Sequence, residues 1–193
     1  GAHTFTWNYW KNPSMTSTCT HDCNADTAWI DDVTMSAPIS TTQTACAVGT
    51  YQPLIGQSSC ISADAGYYVP STGSATQTIC ATGTYQPSTG QSSCISADAG
   101  YYVPSTGSTT QTICAAGTYQ PSTGQSSCID ASAGYYVDST GSTTQTACAA
   151  GTYNSNTASN SSSACIDASA GYYVPSTGSA TQTICATGTY QPS

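Results

Sequence analysis

A short repeated unit constrains the fold of this chain more than any other feature. CATGTYQPSTGQSSC begins at Cys80, and near copies begin at Cys46 and Cys114, so the evident period is 34 residues. Each period has two related halves, because ADAGYYVPSTGS from Ala97 repeats the glycine, tyrosine and Pro-Ser-Thr-Gly positions of the half that begins at Cys80. The unit is therefore 17 residues long. A fixed period of this kind indicates a repeat architecture, in which each unit is completed by its neighbours.

The repeats alternate between two forms. We number the positions of a unit from 1 to 17, and the units from unit 1 (residues 46–62) to unit 8 (residues 168–184), with a further unit beginning at Cys185. Odd-numbered units carry cysteine at positions 1 and 15 and are called cysteine units. Even-numbered units carry alanine and glutamine at these positions and are called glutamine units. Cysteine is thus lost in pairs and never singly.

The paired loss of cysteine bears on the disulfide connectivity, which spacing alone leaves open. Successive cysteines after Cys46 are 14 and 20 residues apart in alternation, with 17 once, so either gap could be bridged. The alternative connectivity begins with Cys60–Cys80, leaves Cys46 unpaired and gives no reason for the 17-residue symmetry. If position 1 bonds to position 15 of its own unit, the loss of both cysteines from alternate units leaves no unpaired thiol. The paired loss therefore favours the pairs Cys46–Cys60, Cys80–Cys94, Cys114–Cys128 and Cys148–Cys165.

The composition explains why covalent bonds matter in this chain. It contains one Lys, no Arg, no Glu and one Phe, with few aliphatic side chains in each unit. Apolar burial alone would give too little to offset the ordering of the backbone. A disulfide that closes a loop of about 15 residues contributes roughly 3 kcal/mol in the chain-entropy estimate. Eleven regularly spaced cysteines without CxxC pairs indicate an oxidising, extracellular setting.

Each unit is predicted to form a short strand, a turn and a return strand. Pro-x-x-Gly is the turn signal, because proline presets φ and glycine accepts a positive φ. The predicted fold class is all-β with little regular secondary structure, an elongated disulfide-laddered repeat array in which each unit contacts only its neighbours. We expect the tyrosine at position 6 to pack on the Pro and Gly of a neighbouring unit rather than stack sugars. The second tyrosine of glutamine units is expected to replace the missing bridge by packing.

The motif of the cysteine units resembles a known family. Cys-x-x-Gly-Thr-Tyr, a polar turn and Ser-x-Cys are similar to the small cysteine-rich modules of TNF-receptor and ephrin-receptor-like ectodomains, over residues 46–193. The resemblance implies that the first and second cysteines of each module bond, which supports the pairing within units. It implies no cytokine ligand, because alanine stands where the family has a third cysteine. These alanines are Ala63, Ala97, Ala131 and Ala168.

Residues 1–39 are predicted to be a separate segment, a β-hairpin with a linker, and residues 40–193 the tandem repeats. GAHTFTWNYW alternates apolar and polar residues, and AWIDDVTM reads as a second strand. The hairpin, residues 1–35, resembles the closing hairpin of the concanavalin-like jelly-roll domains of bacterial surface proteins. The resemblance implies that the other strands of that fold come from an upstream segment or from a neighbouring chain, since two strands alone are marginal in water.

The predicted hairpin loop holds the densest group of potential ligands. Cys19, His21 and Cys23, with Asp22 or Asp26, have the side chains of a zinc site. Structural zinc sites instead take four ligands from two separated pairs, and secreted thiols are usually oxidised. We therefore favour a disulfide between Cys19 and Cys23, and expect neither a bound metal nor a cofactor.

Several classes of function are not supported by the sequence. The two histidines, His3 and His21, both precede the repeats, so no catalytic triad can be assembled there, and no enzymatic activity is expected. Asp31 and Asp32 read as edge-strand charges or an inherited calcium pair rather than as catalytic acids. A formal net charge of -8 with one Lys excludes a phosphate-neutralising nucleic-acid surface. No apolar run is long enough to span a membrane.

Glycans are the covalent partners that the sequence predicts. Unit 7, residues 148–167, is three residues longer than the others and contains the sequon Asn160-Ser-Ser. Serine and threonine next to proline are typical of O-glycosylated stalks. The candidate hydroxyls occupy positions 9 and 10 of the turns: Ser71, Thr72, Ser88, Thr89, Ser105, Thr106, Ser122, Thr123, Ser176 and Thr177.

Together these features predict a structural extracellular stalk or filament-forming repeat protein of a microbial cell surface, one that self-associates or belongs to a longer chain. The alternative is a carbohydrate-binding adhesin whose repeats act as a spacer, and a receptor-like signalling ectodomain is a weaker third. Cys185 is the one cysteine left over. An odd cysteine in an oxidising compartment is expected to be bonded, here to the next cysteine of a longer array or to a neighbouring protomer.

Overall fold

The computed structural model describes residues 43–190, which form eight antiparallel two-stranded sheets, one for each unit. This is the predicted class, all-β with repeated small hairpins, and the predicted hairpin and linker of residues 1–39 lie outside the described residues. The strand pairs are Thr50–Tyr51 (β1) with Ile61–Ser62 (β2), Tyr67–Tyr68 (β3) with Thr78–Ile79 (β4), Thr84–Tyr85 (β5) with Ile95–Ser96 (β6), Tyr101–Tyr102 (β7) with Thr112–Ile113 (β8), Thr118–Tyr119 (β9) with Ile129–Asp130 (β10), Tyr135–Tyr136 (β11) with Thr146–Ala147 (β12), Thr152–Tyr153 (β13) with Ile166–Asp167 (β14), and Tyr172–Tyr173 (β15) with Thr183–Ile184 (β16).

One turn and one register are repeated in each hairpin. In unit 4, Tyr101 pairs with Ile113, so position 5 faces position 17 across the ladder. A tight turn precedes the first strand, because the Tyr101 amide donates to the Asp98 carbonyl at 3.0 Å. Gly100, the third residue of that turn, has φ +82°, the value that a type II turn requires. The glycine at position 4 therefore sets the start of each hairpin.

Four backbone hydrogen bonds join each unit to the next. The amides at positions 4 and 7 of one unit donate to the carbonyls at positions 7 and 12 of the next unit. In return, the amides at positions 1 and 11 of the next unit donate to the carbonyls at positions 4 and 1 of the first. All seven junctions from units 1–2 to units 7–8 carry these bonds, at 2.7–3.1 Å. Between units 3 and 4 they are Gly83 to Val103, Gln86 to Ser108, Ala97 to Gly83 and Gly107 to Cys80. Hydrogen bonds of this length are well formed, so the hairpins stack in chain order through the backbone.

Contacts also reach the second neighbour along the chain. A Cβ on Gly100 in unit 4 would lie 2.9 Å from the carbonyl carbon of Gly141 in unit 6, and closer still to its oxygen. Gly66 has the same relation to Gly107, two units further on. The prediction that each unit contacts only its neighbours is therefore wrong. The physical reason is that the turn at position 11 passes over position 4 two units earlier, and a residue without Cβ lets the two backbones approach.

The core is a column formed by the side chains at positions 1 and 7 of successive units. Position 1, cysteine or alanine, is at most 8% exposed from unit 1 to unit 7, and position 7 is buried from unit 2 to unit 8. Position 7 is valine in the glutamine units, where Val69 and Val103 are fully buried. A column this thin buries little apolar area per unit, so backbone hydrogen bonds and disulfides carry a large share of the stability.

Stacking also covers the tyrosines. Tyrosines at positions 5 and 6 are half-buried from unit 1 to unit 7. Towards the end of the described residues the exposed fraction rises to 41% for Tyr173 and 85% for Tyr190. The following units therefore bury these rings, in keeping with a packing role for the tyrosine at position 6.

Unit 7 accommodates its three extra residues without disturbing the stack. Its position 11 is Ala158, whose amide still donates to Ala131 at 2.8 Å, and its position 12 is Ser159, whose carbonyl still accepts from Val137 at 2.9 Å. The extra residues lie between Ser159 and Cys165, where they form the 3₁₀-helix Ser162–Ala164. The loop between positions 12 and 15 is thus where the fold tolerates insertion.

No helix of the described residues is long and apolar enough to cross a membrane.

Replacing Ala158 with glycine is expected to stabilise the chain by about 0.5–1 kcal/mol. Ala158 has φ 52° where the corresponding positions hold glycine. A left-handed conformation costs an L-residue about 1–2 kcal/mol, and relief of that strain exceeds the added entropy of the unfolded chain, about 0.4–1 kcal/mol. The measurement is the free energy of unfolding in urea. Ala150→Gly in the same unit is the control, since Ala150 does not have a positive φ, and it should destabilise.

Candidate functional site

The candidate functional site is the cross-linked ladder that runs through the array. The described residues contain no Lys, Arg or His, and their five acids are spread over units 2 to 7 at Asp64, Asp98, Asp130, Asp138 and Asp167. No group of three or more potential metal ligands occurs within residues 43–190. The zinc and Cys19–Cys23 hypotheses, and the pair Asp31 and Asp32, fall outside the described residues. What these residues do offer chemically is a regular pattern of cross-links and free hydroxyl groups.

Four disulfides close the loops of the cysteine units. Their Cα–Cα distances are 5.5–5.8 Å, within the usual range for a disulfide. In each, the sulfur at position 1 is buried in the core, while position 15 is partly or fully exposed. The pairs are those within units: Cys46–Cys60, Cys80–Cys94, Cys114–Cys128 and Cys148–Cys165. The alternative bond between Cys60 and Cys80 does not occur, and Cys185, which is half-buried, has no disulfide partner within residues 43–190.

In the glutamine units, the side chain at position 15 takes the place of the second cysteine and bonds back to position 2. Gln111 Oε1 accepts from the Asp98 amide at 2.8 Å, and Gln111 Nε2 donates to Asp98 Oδ2 at 2.7 Å. We call this arrangement the glutamine clamp. Gln77 makes the same two bonds to Asp64. The clamp thus joins position 15 to position 2, one residue away from the position 1 to which the cysteine units bond covalently.

The clamp is weaker where serine replaces aspartate at position 2. Gln145 keeps the bond from the Ser132 amide at 2.7 Å, and Gln182 keeps that from Ser169 at 2.7 Å with a long second bond of 3.3 Å to the serine hydroxyl. Hydrogen bonds to a charged group are stronger than neutral ones. Units 2 and 4 therefore have stronger clamps than units 6 and 8.

Gln111→Ala is expected to lower the free energy of unfolding by about 1 kcal/mol more than Gln145→Ala. Gln111 loses two hydrogen bonds, one of them to a carboxylate, whereas Gln145 loses one, and a typical net value is about 1 kcal/mol per bond. Both residues lie in interior glutamine units, which makes them a matched pair for urea unfolding. Equal losses for the two variants would mean that the bond to Asp98 adds nothing.

A second set of side-chain hydrogen bonds lies inside each disulfide loop. Gln86, at position 7, is 4% exposed. Its Nε2 donates to the Ser93 carbonyl at 2.8 Å, and its Oε1 accepts from the Ser88 amide at 3.1 Å. We call this the position-7 brace. Gln120 repeats the brace in unit 5, with bonds of 2.9 and 3.1 Å.

In unit 7, Asn154 fills the brace position with three hydrogen bonds. Its Nδ2 donates to Ser159 Oγ and to the Tyr135 carbonyl, both at 2.9 Å, and its Oδ1 accepts from the Asn156 amide at 3.0 Å. No buried side-chain polar atom of residues 43–190 lacks a partner. The brace therefore places an amide in the core without the penalty of an unpaired polar group.

Sequence reasoning missed the clamp, the brace and the close approach at position 4. The sequence predicted that packing of the second tyrosine replaces the bridge. In the structure Ala and Gln fill positions 1 and 15, and the Gln side chain bonds to position 2. The signal was present, because glutamine appears at position 15 whenever cysteine leaves. Position 7 likewise alternates between Gln or Asn and Val in step with the cysteines, which indicates a role that depends on the loop.

The predicted glycosylation positions are all exposed. The ten serine and threonine residues at positions 9 and 10 are exposed, as is Asn160 in the lengthened loop of unit 7. Serine at position 12 differs, because in the glutamine units its hydroxyl donates to the position 9 carbonyl. These bonds are Ser74 to Ser71, Ser108 to Ser105, Ser142 to Ser139 and Ser179 to Ser176, at 2.7–2.8 Å. The structure thus separates engaged hydroxyls from free ones.

Disulfide mapping by mass spectrometry of the non-reduced chain is expected to recover peptides that join the positions closed in the structure. Each pair spans 14 residues, or 17 in unit 7, and we expect a further peptide that joins Cys19 to Cys23. The reduced sample serves as the control. A peptide that links Cys60 to Cys80 would contradict the pairing throughout the array.

Comparison with protein families gives one match. Residues 100–148 match the family described as tyrosine-protein kinase ephrin type A/B receptor-like. The match covers about a quarter of the chain and includes all of units 5 and 6 with most of unit 4. A search of curated proteins gave no significant match. Residues 43–190 therefore form a cysteine-rich, disulfide-linked repeat module, and one stretch of it is similar to an extracellular receptor family.

Proposed function

We propose that the chain is a structural, non-catalytic segment of an extracellular stalk or filament on a microbial cell surface. The observation that carries the proposal is the junction of four backbone hydrogen bonds, which recurs at seven successive interfaces. Because the bonds are made by main-chain atoms, the same junction forms between either order of cysteine and glutamine units. Such an array can be extended by adding units, and this is the property that a stalk requires.

The distribution of charge and hydroxyl groups supports the same function. Residues 43–190 have no basic side chain and five separated aspartates, so they offer no strongly charged patch for a macromolecular ligand. Their exposed surface is rich in serine, threonine and glutamine, which suits a segment that holds another domain away from a cell. The disulfides indicate an oxidising compartment.

We propose that O-linked glycans occupy the free hydroxyls at positions 9 and 10, and that an N-linked glycan occupies Asn160. Glycans at Ser108 or its equivalents at position 12 would break the bond that this hydroxyl makes within the turn. Glycopeptide mass spectrometry of the chain, secreted from a glycosylating host, should find sugar on positions 9 and 10 and not on position 12. Modification concentrated at position 12 would contradict this assignment.

Electron microscopy and glycan binding together test the stalk proposal. The informative variant lacks residues 80–113, one cysteine unit and one glutamine unit, so that every remaining junction keeps its alternation. If the chain is a stalk, the deletion shortens the particle by two units, and neither the full chain nor the deletion variant binds glycans on the array. Specific binding on a glycan array, equal in the full chain and the deletion variant, would instead identify an adhesin with the repeats as its spacer.

The control deletion lacks residues 97–113 alone. It joins two cysteine units directly, so that position 7 no longer alternates at that junction, and it pairs unlike units in the second-neighbour contact. If the particle shortens by one unit with unchanged stability, the alternation of units has no structural role.

A further inference from the structure

The two kinds of unit differ in how force can pass along the chain. In a cysteine unit, tension that enters at position 1 crosses the disulfide to position 15, over a Cα–Cα distance of 5.8 Å in unit 3. The residues between these positions carry no tension while the bond lasts. In a glutamine unit no covalent bond joins the two positions, and tension must pass through the whole backbone.

The glutamine units are held closed by noncovalent bonds alone. Unit 4 has one two-residue strand pair, Tyr101–Tyr102 with Thr112–Ile113, the clamp of Gln111 on Asp98, and the junctions on either side. Such hydrogen bonds exchange for bonds to water at little net cost, whereas rupture of a disulfide needs a covalent reaction. Under tension the glutamine units therefore open first.

The disulfide loops keep their own internal bonds when their neighbours open. The brace of Gln86 joins Ser88 and Ser93, and all three residues lie between Cys80 and Cys94. The loop thus retains its turn while the glutamine unit beside it is extended. The folded loop then presents its backbone groups at positions 4 and 7, to which the next unit forms hydrogen bonds again. Refolding of the glutamine unit therefore starts against a unit that is already folded.

We propose that the array is a reversible extensible device, in which glutamine units lengthen under tension and disulfide loops limit the extension. This inference rests on the proposed function, because a stalk between a cell and its target bears tension. Consecutive bridges are separated by 20 residues, as from Cys60 to Cys80. At about 3.5 Å per extended residue, such a segment, a glutamine unit with the last two residues of the cysteine unit before it, extends to about 7 nm. Without the bridges, a period of 34 residues releases about 12 nm.

Single-molecule stretching of the full chain, tethered at its two ends, tests the device. The oxidised chain should lengthen in steps of at most about 7 nm, the extended length of a 20-residue segment, and should recover its starting length over repeated cycles. The reduced chain should show longer steps, up to about 12 nm, and slower recovery. Steps of 12 nm in the oxidised chain, or equal recovery in the two states, would reject the proposal.

Two matched variants exchange the unit types. In the first, Cys80→Ala, Ala81→Asp and Cys94→Gln replace the bridge of unit 3 with a glutamine clamp. It should fold, and its full extension should increase by about 4 nm, the extended length of the 14-residue loop less the bridge. In the second, Ala97→Cys and Gln111→Cys add a bridge to unit 4, and full extension should fall by about 4 nm.

Each outcome of the variants decides the proposal. Failure of the first variant to fold would mean that a clamp cannot replace a bridge. Free thiols in the second would mean that positions 1 and 15 do not face each other in a glutamine unit. Either result rejects the device and leaves the stalk proposal intact. Conversely, normal stretching steps in a chain that binds glycans would retain the device and reject the simple stalk.

Discussion

Reduction of the disulfides is expected to raise the rate of cleavage by a broad-specificity protease at least about 100-fold. Each bridge closes a loop of about 15 residues, for which the chain-entropy estimate is about 3 kcal/mol. A change of that size shifts the population of open chain by about 100-fold. Proteolysis follows this population when opening and closing are fast compared with cleavage. The measurement is the half-life of the intact chain with and without reductant.

Trypsin supplies the internal control for that experiment. Lys11 is the one site for trypsin in the sequence, and it precedes the repeats. Oxidised and reduced chain should therefore both lose at most the first eleven residues. If the broad-specificity protease digested both forms equally fast, the ladder would not be what orders the chain.

Gly100→Ala is expected to destabilise the array by about 3 kcal/mol or more. The new methyl group would lie 2.9 Å from the carbonyl carbon of Gly141, in backbone that cannot rotate away. Overpacking of a well-packed site costs about 1–3 kcal/mol, and the positive φ of +82° adds about 1–2 kcal/mol for an L-residue. The loss should appear as a lower midpoint of urea unfolding.

Gly171→Ala separates the cost of the second-neighbour contact from the cost of the positive φ. Gly171 occupies the same position 4, with φ +83°, but a Cβ there meets nothing within 4 Å. It should cost about 1 kcal/mol, the strain of a positive φ less the entropy lost by the unfolded chain. Equal costs at the two glycines would show that conformation alone, and not the second-neighbour contact, requires glycine.

The hairpins followed from sequence because their signals are local. The turn at Gly100 and the Pro-Ser-Thr-Gly turns depend on backbone preferences of single residues, which the sequence displays directly. The disulfide pairs of the structure are also those favoured by the paired loss of cysteine. Both arguments need only one unit and its immediate neighbour.

The clamp and the second-neighbour contact could not be predicted in the same way. Gln111 is polar and near a loop, which is typical of a solvated surface residue, and its bonds to Asp98 depend on the register of the hairpin. The approach of Gly100 to Gly141 depends on how two units stack on a third. Such geometry is set by the summed orientation of several junctions, about which a single sequence carries no local signal.

The contact at position 4 changes the statistical mechanics of the array. Linear repeat proteins are commonly treated as a one-dimensional Ising chain with an intrinsic term for each repeat and a coupling between nearest neighbours. Here a coupling of range two must be added, because the backbone of Gly66 touches that of Gly107 across an intervening unit. Arrays of one or two units lack this coupling, and each unit added from the third onward gains it once. The stability gained per added unit should therefore rise at the third unit and stay constant for every unit after it.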